Sequence, residues 1–487
     1  MLPKYPWVQR VIVGVAIAAI CAGAFVRIDG SAITKDASHN VRMAVNLRHN
    51  GVISMEWNAP YRPSMYREPL PVMANAGVIA VIDSILGKAE PPQYLSGDRA
   101  RYLKYQNIIW VGVLWLVVFI AFQRFTGTFF LSIAAATFAA IPFIADPAVT
   151  GVNDLYTELP AAVLLVLGSL LLAAATSAGG ITLFVASGLC FGLLTLTKGA
   201  FLYISLGLFV VLAIASLPRS HPLQRRTRLL RSIAFAASVA VLVFPWMHRN
   251  FNEFGFHRIA DRGGQALYIR ALLNGMSDEE YRGVYYAWSG PRFRSLAASI
   301  SGYGPRDLER GGRLQRLNDS LRSSFYEEDL KAELAGRPEA AISYYRQARA
   351  TRVKLESEFK SARHAQPTSA ADNALQKMAV DRLKEDPFSN LRLVVPFLWG
   401  SAPLFFPVLL FAAIYAAWTK RYAFALFVLP SLGALCFYAL MVRVIPRFAS
   451  ITRPVAVVAA LVMLLAMLTS TSIGKKLLGS TQVRSAA

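Results

Sequence analysis

The chain has 487 residues, 55% of them hydrophobic and only 16% charged, and its mean hydropathy is +0.41. Apolar runs of about twenty residues, the length that crosses a bilayer, recur throughout, so an ordinary soluble globule is excluded. The formal net charge of +22 does not indicate a nucleic-acid partner, because most lysines and arginines lie in short links between apolar runs. The sequence therefore predicts an all-α polytopic membrane protein whose basic links contact membrane lipids.

About ten apolar runs are predicted to be membrane spans. They are Val11–Val26, Tyr105–Phe122, Phe129–Ile144, Leu159–Ala175, Ile181–Leu196, Phe201–Leu217, Ile233–Trp246, Leu393–Trp418, Ala423–Met441 and Val455–Leu468. A further run, Leu70–Gly87, contains Asn75 and Asp83 and starts beside two prolines. These features predict an interfacial helix that lies along the outer surface rather than a span.

The basic links determine which side of the membrane each loop faces. With Leu70–Gly87 on the surface, all the short basic links fall on the cytoplasmic side. These links are the amino terminus with Lys4 and Arg10, Gln123-Arg124-Phe125, the block Arg219–Arg231, Lys420-Arg421 and the tail with Lys475-Lys476. The outer face then carries residues 27–104, 145–158, the Thr197-Lys198-Gly199 turn and residues 247–391, where function is expected to concentrate.

The long outer segment has a different composition from the spans. Residues 277–386 are rich in charge, and helical spacing recurs in Glu327–Ala350 and Ala370–Leu383. This pattern predicts a mostly helical extracytoplasmic insert. The predicted organisation is a transmembrane module over residues 1–250, including the first outer loop 27–104, then the insert over 251–391, then C-terminal spans and a cytoplasmic tail over 392–487.

Asp36 follows the first span on the outer side, within Lys35-Asp36-Ala37-Ser38-His39-Asn40. A carboxylate there can take a proton from an acceptor hydroxyl while a lipid-borne donor waits in the bilayer. Aspartate also favours the amino-terminal position of a helix, so Asp36 could cap the segment Ala37–Asn50. The sequence predicts a catalytic base at Asp36 and leaves the capping role open.

Five outer motifs follow one another along the first 250 residues. They are Asp36, Tyr66-Arg67-Glu68-Pro69-Leu70-Pro71, Asn153-Asp154-Leu155-Tyr156-Thr157-Glu158, the stretch Gly188 to Gly199 ending in Thr-Lys-Gly, and Phe244-Pro245-Trp246-Met247-His248-Arg249-Asn250. This ordered set resembles the GT-C superfamily of membrane glycosyltransferases, which includes protein O-mannosyltransferases and the aminoarabinose transferase that modifies lipid A. The predicted topology is similar to that family's module of seven spans with large first and fourth outer loops.

The resemblance implies a GT-C-like helix bundle that transfers a hexose or pentose from a polyprenyl phosphate to an acceptor hydroxyl, with inversion. Such a lipid-linked donor also suits the outer face of a bacterial inner membrane, where nucleotide sugars are absent, and the sequence has no P-loop or dinucleotide motif. The acceptor, which could be a glycan, a lipid or a protein, and the sugar are both left open.

Two further acids are candidate catalytic residues. Asp154 and Glu158 lie four residues apart at the start of a span and would share a helical face if the helix began early enough. Acidic residues also favour the positive amino-terminal end of a helix without any catalytic role. A second acid could bind a divalent metal such as Mg²⁺ or Mn²⁺, with Asp36 and Asp154 as possible ligands, or contact sugar hydroxyls.

Lys198 and several arginines on the outer side are candidate donor-phosphate ligands. Lys198 lies at a sharp outer turn beside Gly199, where it could also simply reach lipid headgroups. The resemblance implies phosphate binding near this turn. Arginines are unexpected on the outer face, and Gly263-Gly264 could add backbone donors to a phosphate site. The predicted set is Lys198, Arg67, Arg249, Arg258 and Arg262.

Tyr66, Glu68 and His248 adjoin these cations and are the candidate substrate-binding residues, although Tyr66 could instead anchor the membrane interface. Two other classes of protein remain open. A glycan polymerase or ligase that uses a polyprenyl-diphosphate oligosaccharide would depend on the outer arginines and a histidine and leave Asp36 dispensable. A secondary transporter would place its polar groups nearer the bilayer midplane.

Overall fold

The structure is a computed structural model that describes residues 6–145, 151–216, 222–364, 366–442 and 446–470. In these ranges every regular element is an α-helix or a 3₁₀-helix, which confirms the predicted all-α class. The chain divides into two compact units. The first unit comprises residues 1–253, 404–434 and 447–487, and the second comprises 254–403 and 435–446. The predicted cytoplasmic residues Lys4, Arg219, Lys475 and Lys476 lie outside the described ranges.

The first unit starts with ten α-helices. They are α1 Pro6–Arg27, α2 Lys35–Asn50, α3 Pro69–Leu86, α4 Gly97–Lys104, α5 Gln106–Thr126, α6 Phe129–Ala145, α7 Glu158–Ala178, α8 Ile181–Thr197, α9 Phe201–Ile214 and α10 Pro222–Phe254, with a 3₁₀ turn at Pro91–Tyr94. The helices α2, α3 and α4 lie in the long connection between α1 and α5, which is the predicted first outer loop.

The second unit is helical, as predicted for the insert, and its α-helices between Gly263 and Ser401 differ in length, from 6 residues in Pro387–Arg392 to 19 in Pro367–Glu385. They are α11 Gly263–Leu273, α12 Asp278–Ala287, α13 Pro291–Ser301, α14 Tyr326–Leu334, α15 Tyr344–Ser361, α16 Pro367–Glu385, α17 Pro387–Arg392 and α18 Val394–Ser401, with 3₁₀ turns at Pro305–Leu308, Gln315–Leu317 and Pro338–Ala340. The helical pattern over Glu327–Ala350 is two helices and not one. Gly336, at φ +63°, and Pro338 interrupt it.

The chain then continues through α19 Phe405–Trp418, α20 Tyr422–Met441, α21 Pro446–Ser450 and α22 Arg453–Ser470. Within the described ranges, seven helical stretches are long and apolar enough to cross a membrane: α1, α3, the Gly97–Thr126 stretch that includes α4 and α5, α7, the Arg225–Phe254 part of α10, α20 and α22. The helices α6, α8 and α9 are apolar but shorter. The helical content and these apolar stretches confirm a multi-pass membrane protein.

Two of the apolar runs, Leu393–Trp418 and Leu70–Gly87, bear on the number of membrane spans. The run Leu393–Trp418 was predicted as one span, but α18 ends at Ser401 and α19 begins at Phe405, so an eighth span exists only if this broken pair crosses as one. Pro403 lies at the break and has no N–H to continue a helical hydrogen-bond ladder. The run Leu70–Gly87 forms α3, which is apolar enough to span, so its interfacial placement stays a prediction.

The apolar helices of the first unit pack closely, with α7 against α5 and α8, and α22 against α5 and α6. Gly188 shows how close the approach of α8 to α10 is, because an added Cβ would lie 2.4 Å from the Phe235 carbonyl oxygen. The Ser187 hydroxyl donates to the Gly168 carbonyl of α7 at 2.8 Å. These contacts fix the relative heights of α7 and α8, and so the positions of their ends.

A buried lysine joins the segments that lead into α2 and α7. The Lys104 ammonium is fully buried and donates to the Ser31 carbonyl at 2.8 Å, the Asp29 carbonyl at 3.1 Å and the Asn153 side-chain oxygen at 3.0 Å. Hydrogen bonds to Ser31 and Asn153 hold the pKa of Asp29 well below its usual range. The entries to α2 and α7 therefore lie side by side, which positions the candidate site.

Candidate functional site

Asp36 lies in the first turn of α2, and the N-cap residue is Thr34. The helix forms because Ala37, Val41 and Ala44 recur at helical spacing and are buried. Its first residue is Lys35, so Asp36 is already inside the helix. The alternative that Asp36 is the N-cap residue is wrong. Its side chain instead contacts two arginines that come from distant parts of the chain.

The first of these is Arg67, whose Nη2 lies 3.0 Å from Asp36 Oδ1. Arg67 precedes α3, which begins at Pro69, and a proline holds the residue before it, Glu68, in extended backbone at φ −62° and ψ 142°. Because α3 packs along α2, this extended approach brings Arg67 beside the first turn of α2. Its side chain is only 10% exposed.

Glu158 and Lys198 form a second, buried ion pair, with Lys198 Nζ 3.0 Å from Glu158 Oε1. Glu158 begins α7 and Lys198 is the C-cap residue of α8. Neighbouring antiparallel helices bring these ends together, and each charge lies at the helix end that favours it. Glu158 Oε2 is buried and, among the described residues, has no hydrogen-bond partner.

Arg447, in the short helix α21, joins the two pairs. Its Nη2 contacts Asp36 Oδ2, and its Nε lies 3.6 Å from Glu158 Oε1. Burial works to lower the pKa of Arg447, but the carboxylates of Glu158 and Asp36 outweigh it and raise that pKa. Arg447 is not among the site residues predicted from the sequence.

We call this set of ion-paired residues the Asp36 cluster: Asp36, Arg67, Glu158, Lys198 and Arg447. The cluster holds three cations and two carboxylates, so its net charge is +1. Aromatic rings border the cations: Arg447 lies over the Tyr156 ring at 5.0 Å, and Lys198 lies over the Phe448 ring at 4.8 Å. Burial, with the nearby carboxylates, raises the pKa of Tyr156, which keeps its hydroxyl protonated as a donor. A polar cluster with surplus positive charge can bind a phosphate.

Three predicted residues lie close to the cluster in the chain but are not among its ion pairs. Tyr66 contacts the His39 ring edge-on at 5.3 Å, and Glu68 is the half-buried N-cap residue of α3. Asp154 is exposed and accepts from the Gly151 N–H at 3.4 Å. Because α7 begins only at Glu158, the helix does not begin early enough for Asp154 and Glu158 to share a helical face.

Near the end of α10, the predicted residues contact their sequence neighbours. Arg249 donates to Asn250 at 2.8 Å and lies over the Trp246 ring, and exposed His248 stacks on Phe244. Their predicted roles toward donor and substrate stay predictions.

In the second unit, Arg258 pairs with the fully buried Asp372 at 3.2 Å, and Arg262 is the N-cap residue of α11. The Gly264 N–H, predicted as part of a phosphate site, donates to Asp372 at 3.0 Å. In this arrangement an internal carboxylate occupies the position at the start of α11 that a phosphate would take. The phosphate roles of Arg258 and Arg262 stay predictions.

Metal binding was predicted as possible through Asp36 and Asp154. Among the residues that the structure describes, no group of three or more His, Cys, Asp or Glu side chains is placed to hold a metal ion. Both oxygens of Asp36 also contact guanidinium groups, which compete with a metal for the same lone pairs.

No protein-family model matches the sequence, and no curated protein matches it. Among solved structures, the chain is similar to the oligosaccharyltransferase AglB of Archaeoglobus fulgidus in complex with an inhibitory peptide and a dolichol-phosphate. The TM-score is 0.48 at 15% identity, over 95% of this chain and 51% of AglB. The apo form of the same archaeal enzyme gives a TM-score of 0.49 at 16% identity, over 99% of this chain and 53% of that one.

The chain is also similar to ArnT of Cupriavidus metallidurans bound to undecaprenyl phosphate, with a TM-score of 0.35 at 14% identity, over 94% of this chain and 79% of ArnT. The chain spans about half the length of the archaeal oligosaccharyltransferases.

Proposed function

We propose that the protein is an integral membrane glycosyltransferase of the GT-C type. It transfers a hexose or pentose from a polyprenyl-phosphate donor to an acceptor hydroxyl on a cell-envelope glycan, lipid or protein. The observation that carries this proposal is the Asp36 cluster, where a carboxylate lies among three cations beside the ends of apolar helices. Transfer from a lipid phosphate needs both kinds of group close together.

The location of the cluster supports the proposed sidedness. Glu158 begins α7, Lys198 ends α8, and Arg447 precedes α22. Each of these helix ends is the one that the distribution of basic links assigns to the outer face. We place the active site on the periplasmic or extracellular face of a bacterial inner membrane, where a polyprenyl chain can lie in the bilayer with its phosphate at the interface.

In the proposed reaction, Asp36 accepts the proton of the acceptor hydroxyl as its oxygen forms a bond to the anomeric carbon. The bond between that carbon and the phosphate oxygen breaks, and its electron pair leaves with the polyprenyl phosphate. Attack opposite the leaving group inverts the anomeric centre. Arg67, Arg447 and Lys198 stabilise the negative charge that grows on the phosphate. The product lipid is a phosphate monoester, which carries more charge than the diester donor.

Mass spectrometry of lipid-linked sugars and envelope glycans tests this function in cells that contain or lack the protein. We expect cells without the protein to lose one sugar from a glycan and to accumulate one polyprenyl-monophosphate sugar, which names the donor and the acceptor together. Accumulation of a polyprenyl-diphosphate oligosaccharide would instead indicate a polymerase or ligase. An unchanged lipid-linked pool and unchanged glycans would contradict the proposal.

A further inference from the structure

Both oxygens of Asp36 contact cations. Arg67 lies 3.0 Å from Oδ1, and Arg447 contacts Oδ2. A hydroxyl that is to give its proton to Asp36 must reach one of these oxygens, and a guanidinium group lies against each. The arrangement therefore holds the proposed base in a state that restricts its access to an acceptor.

The same cations are the phosphate ligands that the proposed reaction requires. Arginine binds carboxylate and phosphate oxygens through the same planar set of N–H donors, so the two anions compete for it. A polyprenyl-phosphate sugar brings one negative charge, which matches the net charge of +1 in the Asp36 cluster. Donor binding would thus neutralise the cluster.

Among the three cations of the Asp36 cluster, Arg447 contacts the largest number of other side chains. It reaches two carboxylates, Asp36 and Glu158, and lies over the rings of Tyr156 at 5.0 Å and Phe448 at 5.6 Å. Its side chain is 25% exposed, against 10% for Arg67 and 11% for Lys198. An aromatic face lets a guanidinium change its hydrogen-bond partner while it keeps its stacking contact.

We infer that Arg447 is a positioning residue that exchanges partners during the reaction. Without donor it pairs with Asp36, and when the donor binds it moves to the phosphate and exposes Asp36 Oδ2 to the acceptor. This inference rests on the proposed function and adds an order to it, because Asp36 Oδ2 is released from Arg447 only when the donor binds. The exchange breaks and forms only ion pairs and hydrogen bonds.

The exchange makes an unusual prediction, because loss of the catalytic carboxylate should improve donor-site binding. In Asp36→Asn, Arg447 loses the carboxylate that its Nη2 contacts and keeps only the longer contact to Glu158, so undecaprenyl phosphate should bind about tenfold more tightly than to wild type. In Arg447→Gln it should bind about tenfold more weakly, and Arg447→Lys should restore part of the loss. In the double variant, the gain from Asp36→Asn should disappear, because it acts through Arg447.

The measurement is undecaprenyl phosphate affinity of the full-length protein in lipid nanodiscs, with undecaprenol, which lacks the phosphate, as the control lipid. Thermal unfolding midpoints verify that each variant is folded. Unchanged or weaker binding by Asp36→Asn, or a gain that persists in the double variant, overturns the exchange and leaves the proposed function standing. If folded wild-type protein binds undecaprenyl phosphate no better than undecaprenol, the proposed function fails, and the exchange with it.

Discussion

Two carboxylate–arginine clusters, one in each unit, use the same residue types for different ends. In the second unit, Asp372 is fully buried and accepts from Arg258 at 3.2 Å and from the Gly264 and Gln265 N–H groups at 3.0 Å. Its negative charge is matched by internal donors at the start of α11. In the first unit, the Asp36 cluster carries surplus positive charge, and the Asp36 side chain is partly exposed.

The difference shows that residue type alone does not identify a phosphate site. Arg67 and Arg258 both lie in predicted outer segments near a proline or glycines, and both pair with aspartate. What separates the two sites is the balance of charge and the exposure of the carboxylate, because the Asp36 side chain is 22% exposed and that of Asp372 is 0% exposed. A cluster whose donors are satisfied internally stabilises the fold, whereas a cluster with spare positive charge attracts an anion.

A substitution that reverses the net charge of the Asp36 cluster should weaken phosphate binding most. Arg67→Glu changes its net charge from +1 to −1, so the incoming phosphate meets like charge. We expect undecaprenyl phosphate affinity to fall by about 10³-fold, measured in nanodiscs. Arg101→Glu is the matched control, because Arg101 is an exposed arginine in α4 of the same outer loop. An equal loss in both variants would reduce the effect to general surface electrostatics.

The buried pair Glu158–Lys198 should matter for stability as well as binding. Removing one partner strands the other charge, since their side chains are 1% and 11% exposed. Glu158→Gln and Lys198→Met should each lower the free energy of unfolding by about 3 kcal/mol, and the double substitution should cost less than the sum. Chemical unfolding in detergent provides the measurement. Additive losses would show that the two side chains do not depend on each other.

The smallest effect is a pH dependence of the second unit. Burial raises the pKa of Asp261 to about 6, and the negative charge of Asp372 adds to this rise. The hydrogen bond with Ser369 and the charges of Arg258 and Arg352 lower the pKa but do not outweigh burial. Since the folded-state pKa lies above the ordinary value of 3.8, the proton stabilises the folded state, and this stability is lost as pH rises from about 4 to about 6.

Between pH 4 and pH 7, that loss should amount to roughly 2 kcal/mol more in wild type than in Asp261→Asn, which cannot ionise. Unfolding midpoints recorded for both proteins across this range give the difference. Parallel pH profiles for the two proteins would show that Asp261 is ionised over the whole range.

The sequence predicted four of the five residues in the Asp36 cluster, because each lies beside a helix end that the basic links assign to the outer face. It gave them separate roles, and the pairing of Glu158 with Lys198 required the packing of α7 against α8. Arg447 lies 411 residues from Asp36, a separation that no local pattern bridges. One signal was present but not used: Arg443, Arg447 and Arg453 lie between the last two predicted spans, a link that the alternation of spans would put on the outer face, where arginines are rare.

The helical class and the apolar runs were predictable because each depends on local periodicity and length. The breaks were not, because they depend on single residues within otherwise helical patterns. Pro403 lies where α18 and α19 separate, and Gly336 lies where α14 ends. The start of α7 at Glu158 likewise excluded Asp154 from the helical face expected for both acids.

Asp36 is the proposed base of the glycosyl transfer. The most direct test is the transfer rate of purified Asp36→Asn in nanodiscs, with the lipid-linked donor that accumulates in cells lacking the protein. The control is Asp98→Asn, an exposed carboxylate in the same outer loop. We predict a loss of about 10³-fold for Asp36→Asn, although it binds undecaprenyl phosphate more tightly than wild type does, and no loss for Asp98→Asn. A rate for Asp36→Asn within about tenfold of wild type would contradict the account.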